Sequence, residues 1–279
     1  MTSRRNRGRR RGLLSAMGRA AVILAVVTVD FPILTVVVYA FQPNQAVLAH
    51  HFDPGQFTAA NFALLGQLPF AQYVINSLVV SAGGAGLALA AALLGGYALS
   101  RFRQRALAGY ARLLLIVQMV PVVVTLLPLF LVVRDLHLLD TYIGLILIYA
   151  ALLLPFATWI ARAFFDSIPI ELEEAAWVDG CTRLRSLVRV VGPLAGPGIA
   201  SIATLSFITA WNEYLLASVF LTGPAMTVSV GLQTFTEQIG PIGGAVMAGS
   251  VLAMIPSLAV YLIFQRYFVS GALAGAVKG

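Results

Sequence analysis

Six stretches of about twenty predominantly apolar residues divide this chain, and each is long enough to cross a hydrocarbon layer roughly 30 Å thick as a helix. They cover about 19–41, 73–100, 113–133, 141–161, 196–220 and 244–265. A bilayer core offers no water to satisfy backbone N–H and C=O groups, so spans of this kind must be helical. Composition points the same way. Only 10% of the 279 residues are charged, against about 25% in an average soluble domain, and too few polar side chains exist to cover a soluble surface. The sequence specifies an all-α, polytopic membrane protein and excludes a soluble enzyme.

The placement of arginine predicts the orientation. With the N-terminus inside, seven arginines from Arg4 to Arg19 precede or open the first span. Arg101, Arg103, Arg105 and Arg112 fill the next inner loop, and Arg162, Arg183, Arg185 and Arg189 the one after. Arg266 and Lys278 follow the last span, and only Arg134 falls outside. An excess of basic residues on the cytoplasmic side predicts that both termini are cytoplasmic. The expected organisation is a basic N-terminus (1–18), a six-helix transmembrane domain (19–268) and a cytoplasmic tail (269–279), in a bacterial cytoplasmic (inner) membrane. The Arg4–Arg11 segment reads as an uncleaved anchor among anionic lipid headgroups, because the apolar stretch behind it is too long for a signal core. It is short and lacks aromatics, so nucleic-acid binding is not expected.

Catalytic patterns are absent. The sole lysine, Lys278, is followed by Gly279, so the chain has no P-loop. Cys181 has no cysteine to pair with. His50, His51 and His137 lie in outer loops without metal-ligand spacing, so neither a metal site nor an enzyme is expected.

Two acids stand at membrane depth, where an unpaired charge is costly. Asp30 precedes Pro32 and reads as a structural partner for a polar group on a neighbouring helix, or as a neutral acid. Glu213 belongs to the run Trp211-Asn212-Glu213-Tyr214. Hydrogen-bonding groups beside aromatic faces suit a sugar on a translocation path, and they equally suit interhelical hydrogen bonding. Both readings stay open. Gly83-Gly84-Ala85-Gly86 and Gly95-Gly96 permit close helix approach, while Pro121, Pro128 and Pro155 are expected to kink their spans.

The loop from about 162 to 195 is the most informative segment. Pro169 suits a first helical turn. Glu171, Glu173 and Glu174 lie near the positive end of the helix dipole, and Gly180 ends the helix. Thr182 then caps a second short helix that carries Arg183, Arg185 and Arg189. The result is a compact helix–turn–helix suited either to docking on another protein or to lying at the membrane interface.

The run Glu174-Ala175-Ala176-Trp177-Val178-Asp179-Gly180, followed after twelve intervening residues by Pro193, resembles the EAA loop of ABC importer permeases. Leu172-Glu173, the Trp211–Tyr214 run, Asn76-Ser77 and the closing Gly275-Ala276-Val277-Lys278-Gly279 are similar to the smaller permease of maltose/trehalose-type carbohydrate importers. Cys181 and Gly192 depart from that pattern, standing where alanine and an apolar residue are usual.

The resemblance implies the ABC importer permease fold and a non-enzymatic transport subunit that translocates a di- or oligosaccharide such as trehalose or maltose. It implies coupling through Glu174, Ala175, Ala176, Asp179, Gly180 and Pro193 to two copies of a cytoplasmic ABC ATPase. No cofactor is expected on this chain, since ATP and Mg would be used by that ATPase. A second, non-identical six-helix permease and an extracytoplasmic solute-binding protein complete the implied partners. Gly275, Val277 and Lys278 would also reach the ATPase. The rival expectation is an ion-coupled secondary transporter with Asp30 or Glu213 binding the proton. It lacks a detectable inverted repeat and gives the acidic loop no use.

Overall fold

A computed structural model describes the backbone of residues 3–49, 51–239 and 243–276, and the side chains of 18–235 and 243–267 apart from Ala20 and His50. The basic side chains of Arg4–Arg11 lie outside that set. Helices α1 (Ser3–Ala40), α2 (Asn44–Leu48), α3 (Ala60–Leu65), α4 (Phe70–Arg101), α5 (Arg105–Met119) and α6 (Val122–Asp135) come first. They are followed by α7 (Tyr142–Asp166), α8 (Glu171–Val178), α9 (Arg183–Ser186), α10 (Gly192–Leu194) and α11 (Gly196–Trp211). Then come α12 (Leu215–Phe220), α13 (Val228–Ile239) and α14 (Gly243–Ala276). No strand occurs among the described residues.

Among the described residues, four helical segments are long and apolar enough to cross a membrane: Ala21–Ala40, Phe70–Arg101, Tyr142–Asp166 and Gly243–Tyr267. Two bent pairs raise the number to six if each is a single span. One pair is α5 with α6, bent by 106°; the other is Arg183–Leu194 with α11, bent by 80°.

Two predicted spans are therefore corrected in form. The third breaks at Val120–Pro121, where Pro121 removes a backbone donor and Val120 turns extended (φ −79°, ψ 122°). Helices α6 and α7 continue through Pro128 and Pro155. The fifth is interrupted between Trp211 and Leu215, where the Glu213 carboxylate takes over the first amides of a new helix.

The chain forms two compact units. The first comprises Met1–Leu68 and Thr236–Leu252. Buried Asn61 ties it together by donating to the carbonyls of Ala40 (2.9 Å) and Gln42 (2.7 Å), while Gly244 N donates to Asn44 Oδ1 at 3.1 Å. The face of α1 from Ala21 to Leu34 is exposed throughout. Asp30 forms no hydrogen bond or ion pair among the described residues, and the polar partner expected from the sequence is not seen among them.

The second unit comprises Pro69–Phe235 and Ala253–Gly279. In lipid, burial of an apolar side chain against another helix gains little over burial against acyl chains, so close contact and hydrogen bonds must hold helices together. The sequence supplies closeness through small residues. A Cβ added to Gly84 would lie 2.6 Å from Tyr149 Cβ, and one on Gly96 would lie 2.6 Å from Ala161 Cβ and 2.8 Å from the Arg162 nitrogen. Helices α4 and α7 therefore meet backbone to backbone. Around them lie two apolar clusters, one including Val80, Leu145, Tyr149 and Leu216, the other Ala92, Ala161, Phe165 and Ile202.

Candidate functional site

The loop between α7 and α11 is built to hold one shape. Three of its four acids occupy the first turn of α8, where the exposed amides favour negative charge, but they have different fates. Glu171 and Glu174 are exposed. Glu173 is wholly buried, with Arg101 Nε donating to one oxygen at 2.6 Å and the Tyr97 hydroxyl donating to the other at 2.7 Å. Arg101 Nη2 also donates to the Ile168 carbonyl at 3.0 Å. A buried carboxylate would cost several kcal/mol if left alone; here both oxygens are engaged, and α8 is fastened to the end of α4. The guanidinium of Arg183 lies 5.2 Å from the ring centres of both Phe102 and Trp177, a cation–π clamp across the loop.

Local signals in the sequence set the turn. After Val178 the Cys181 N–H bonds to the Ala176 carbonyl and the Gly180 N–H to the Trp177 carbonyl, at 2.9 and 3.0 Å. This pair is a Schellman motif, and it needs a left-handed residue at Gly180, whose φ is +83°. Thr182 Oγ1 then accepts from Arg185 N and caps α9, as expected. Pro169 lies two residues before the first residue of α8, outside its first turn. A π-helical turn, Leu187–Val191, precedes the unusual Gly192, and Pro193 is exposed in α10.

Around this locked turn the surface mixes apolar, acidic and basic side chains, since Arg183 and Arg185 are exposed as well. Val178 is 88% exposed and Leu172 44%. Glu174, Ala175, Asp179 and Gly180 are exposed beside them, and Ala176 is half-buried. Of the predicted tail residues, Gly275 lies in the backbone of α14, while Val277 and Lys278 lie outside the described residues.

The Trp211–Tyr214 run occupies the break between α11 and α12. Trp211 is buried, stacks on Phe207 and donates from Nε1 to the Ala253 carbonyl at 3.1 Å. Glu213 accepts from the Leu216 and Ala217 amides at 2.9–3.1 Å and from the Tyr149 hydroxyl at 3.2 Å. Its carboxylate is thus a helix cap held by a buried tyrosine. Asn212 Nδ2 turns back to the Ile208 carbonyl of its own helix. Asn212 and Tyr214 are exposed, so two members of the run face outward while two are spent on structure.

A second polar clamp sits at the opposite end of α4. Asn76 is buried and fully used: Nδ2 donates to the carbonyls of Pro224 (2.9 Å) and Met226 (2.8 Å), while Oδ1 accepts from Gln72 Nε2 and the Tyr142 hydroxyl. Ser77 Oγ accepts from Val228 N at 2.8 Å. Asp140 Oδ1 accepts from both the amide and the hydroxyl of Thr222, each at 2.7 Å. The sequence marked Asn76-Ser77 by resemblance only. The roles of Tyr97, Arg101 and Glu173 gave no local signal, because their partners lie more than 70 residues apart.

Within the second unit, apolar helices packed on α4 and α7 and a capped two-helix loop between α7 and α11 fit a transport permease of the ABC importer class. The chain belongs to the family of binding-protein-dependent transport system inner membrane components, which matches residues 84–272. It is 36% identical over 263 residues to the diacetylchitobiose uptake system permease protein DasC of Streptomyces coelicolor, covering 93% of this chain and 95% of that protein. It is 33% identical to the trehalose/maltose transport system permease protein MalG of Thermococcus litoralis, with the same coverage of each. The fold is similar to a chain in the crystal structure of a bacterial ABC transporter involved in import of the acidic polysaccharide alginate. That match has a TM-score of 0.77 at 25% identity and covers 96% of this chain and 99% of the other.

The protein is thus a multi-pass component of the inner (cytoplasmic) membrane and a permease of an ABC importer. It is a transport subunit rather than an enzyme. The ion-coupled reading of Asp30 and Glu213 finds no support in this family.

Proposed function

We propose that this permease moves a di- or oligosaccharide, such as trehalose or maltose, and is driven through α8 by a separate ATPase. The observation that carries the coupling is the tip of the loop: an 88% exposed Val178 on a turn otherwise fixed by buried and capped groups. An exposed apolar knob on a rigid support suits a groove on a partner, since little conformational entropy is lost on docking. Glu174 and Asp179 bond to the ATPase at its rim, Ala175, Ala176 and Gly180 allow close approach, and Pro193 directs the chain back toward α11. Gly275, Val277 and Lys278 reach the same partner.

In this reading both termini and α8 are cytoplasmic, in keeping with the arginine distribution. A second, non-identical six-helix permease completes the pathway, and two ATPase copies bind ATP and Mg. An extracytoplasmic solute-binding protein delivers the sugar. Asn212 and Tyr214 line the path, with Trp211 and Glu213 holding them in place. The carbohydrate class rests on relatives named for diacetylchitobiose, for trehalose/maltose and for trehalose.

The test is copurification with Val178→Glu. A charge placed at the docking tip should remove the ATPase while the second permease still copurifies; an ATPase retained at wild-type level contradicts the docking role. In the wild-type complex, a disaccharide with its binding protein should raise ATP hydrolysis. Stimulation by amino acids alone would overturn the sugar assignment.

A further inference from the structure

Helix α4 is a single unbroken helix of 32 residues, about 48 Å long at roughly 1.5 Å per residue. Each end is fastened to a different loop by groups removed from solvent. At one end Arg101 and Tyr97 hold Glu173 of α8 through two bonds of 2.6 and 2.7 Å, with Arg101 also on the Ile168 carbonyl. At the other, Asn76 and Ser77 hold the backbone of Pro224, Met226 and Val228. Between the clamps the helix lies against α7 at Gly84 and Gly96 with no slack for an added methyl group.

A stiff element fixed at both ends transmits displacement better than it absorbs it. The clamps are specific in a way that lipid-facing contacts are not. Breaking a buried hydrogen bond leaves an unsatisfied group, so each loop follows its end of the helix rather than sliding over it. Arg101 is nearly buried as well, with 9% of its side chain exposed, which sets it apart from the exposed Arg103 and Arg105 beside it.

We propose that α4 is the rod joining the coupling loop to the loop at 222–228, with Tyr97, Arg101 and Glu173 as positioning residues at one end and Asn76 and Ser77 at the other. This proposal rests on the coupling role given to α8 above. Movement of α8 on nucleotide binding displaces α4 along with it and so repositions the distal loop. Docking of the solute-binding protein at that loop sends the signal back.

The experiment uses the complete importer in lipid nanodiscs. It reads the ratio of ATP hydrolysis with and without sugar-loaded binding protein, alongside copurification of all subunits. Glu173→Gln and Ser77→Ala should each lower the ratio about tenfold, the equivalent of one lost hydrogen bond to a buried group. Tyr97→Phe, which keeps the ring packed on Phe102 and Phe165, should lower it a few-fold with assembly intact. The control is Ser201→Ala, whose hydroxyl bonds only within its own helix; it should keep the wild-type ratio.

Because the two clamps act in series through one helix, Ser77→Ala with Glu173→Gln should lose less than the product of the two single losses. An assembled Tyr97→Phe complex with the wild-type ratio overturns the proposal, even if Glu173→Gln fails to assemble. A double variant whose loss is the product of the two singles, or a loss in Ser201→Ala, overturns it as well. A wild-type complex that the binding protein does not stimulate would refute the coupling role of α8 itself, a distinct result.

Discussion

Glu173 and Glu174 are neighbours of the same chemistry, yet one is buried in an ion pair and the other faces solvent. Only the register of α8 separates them, and no spacing in the sequence told which acid would turn toward Arg101, 72 positions away. Gly180 was legible because its signal is local: a glycine after a short acidic helix needs no distant partner to end it. A Cβ at Gly180 would meet nothing within 4 Å, so Gly180→Ala should cost only the left-handed backbone penalty, about 1 kcal/mol. Thermal unfolding of the complex should register it as a small loss. Gly180→Pro cannot adopt φ +83°; it should leave assembly largely intact and uncouple ATP hydrolysis from uptake, and normal uptake would count against the coupling role. Glu213 yields a different expectation. As a cap on α12, Glu213→Gln should keep most uptake, whereas Glu213→Leu should lose about 1–2 kcal/mol of stability. If Glu213→Gln abolished uptake at unchanged stability, the charge would be at work in transport and not in capping.

Among elements, hydrophobicity located the spans but not their interruptions. A window of apolar residues scores alike whether the helix is continuous or broken. The 106° bend between α5 and α6 depends on Pro121 acting with its extended predecessor, while Pro128 and Pro155 sit inside helices that continue. The glycines of α4 were legible as packing signals, though not which of them face α7. The structure separates them. A Cβ at Gly96 meets α7 backbone at 2.8 Å, whereas one at Gly86 meets nothing within 4 Å. Gly96→Ala should therefore destabilise by about 1–3 kcal/mol through overpacking. Gly86→Ala should be neutral or gain about 0.5–1 kcal/mol from helix propensity. Melting temperatures of the two variants should move in opposite directions, and equal shifts would contradict the close approach of α4 and α7.

For the whole molecule, low charge and six apolar stretches made a polytopic membrane protein legible before any coordinates. The permease class came from the resemblance of Glu174–Gly180 and Trp211–Tyr214 to ABC importer permeases, since the acidic loop read by itself suited docking and a membrane interface alike. The family match and the fold agree with that outcome. Asp30, exposed on α1 and without a polar neighbour among the described residues, is the one membrane-depth acid whose role the fold of a single chain leaves unassigned. The central claim is that this chain supplies the gate and a partner supplies the motor. The most direct measurement is uptake of a labelled disaccharide into proteoliposomes holding either this chain alone or the full complex with binding protein. The account predicts accumulation against a gradient only in the full complex and only with ATP. Accumulation by the chain alone, driven by a proton gradient without nucleotide, would contradict it.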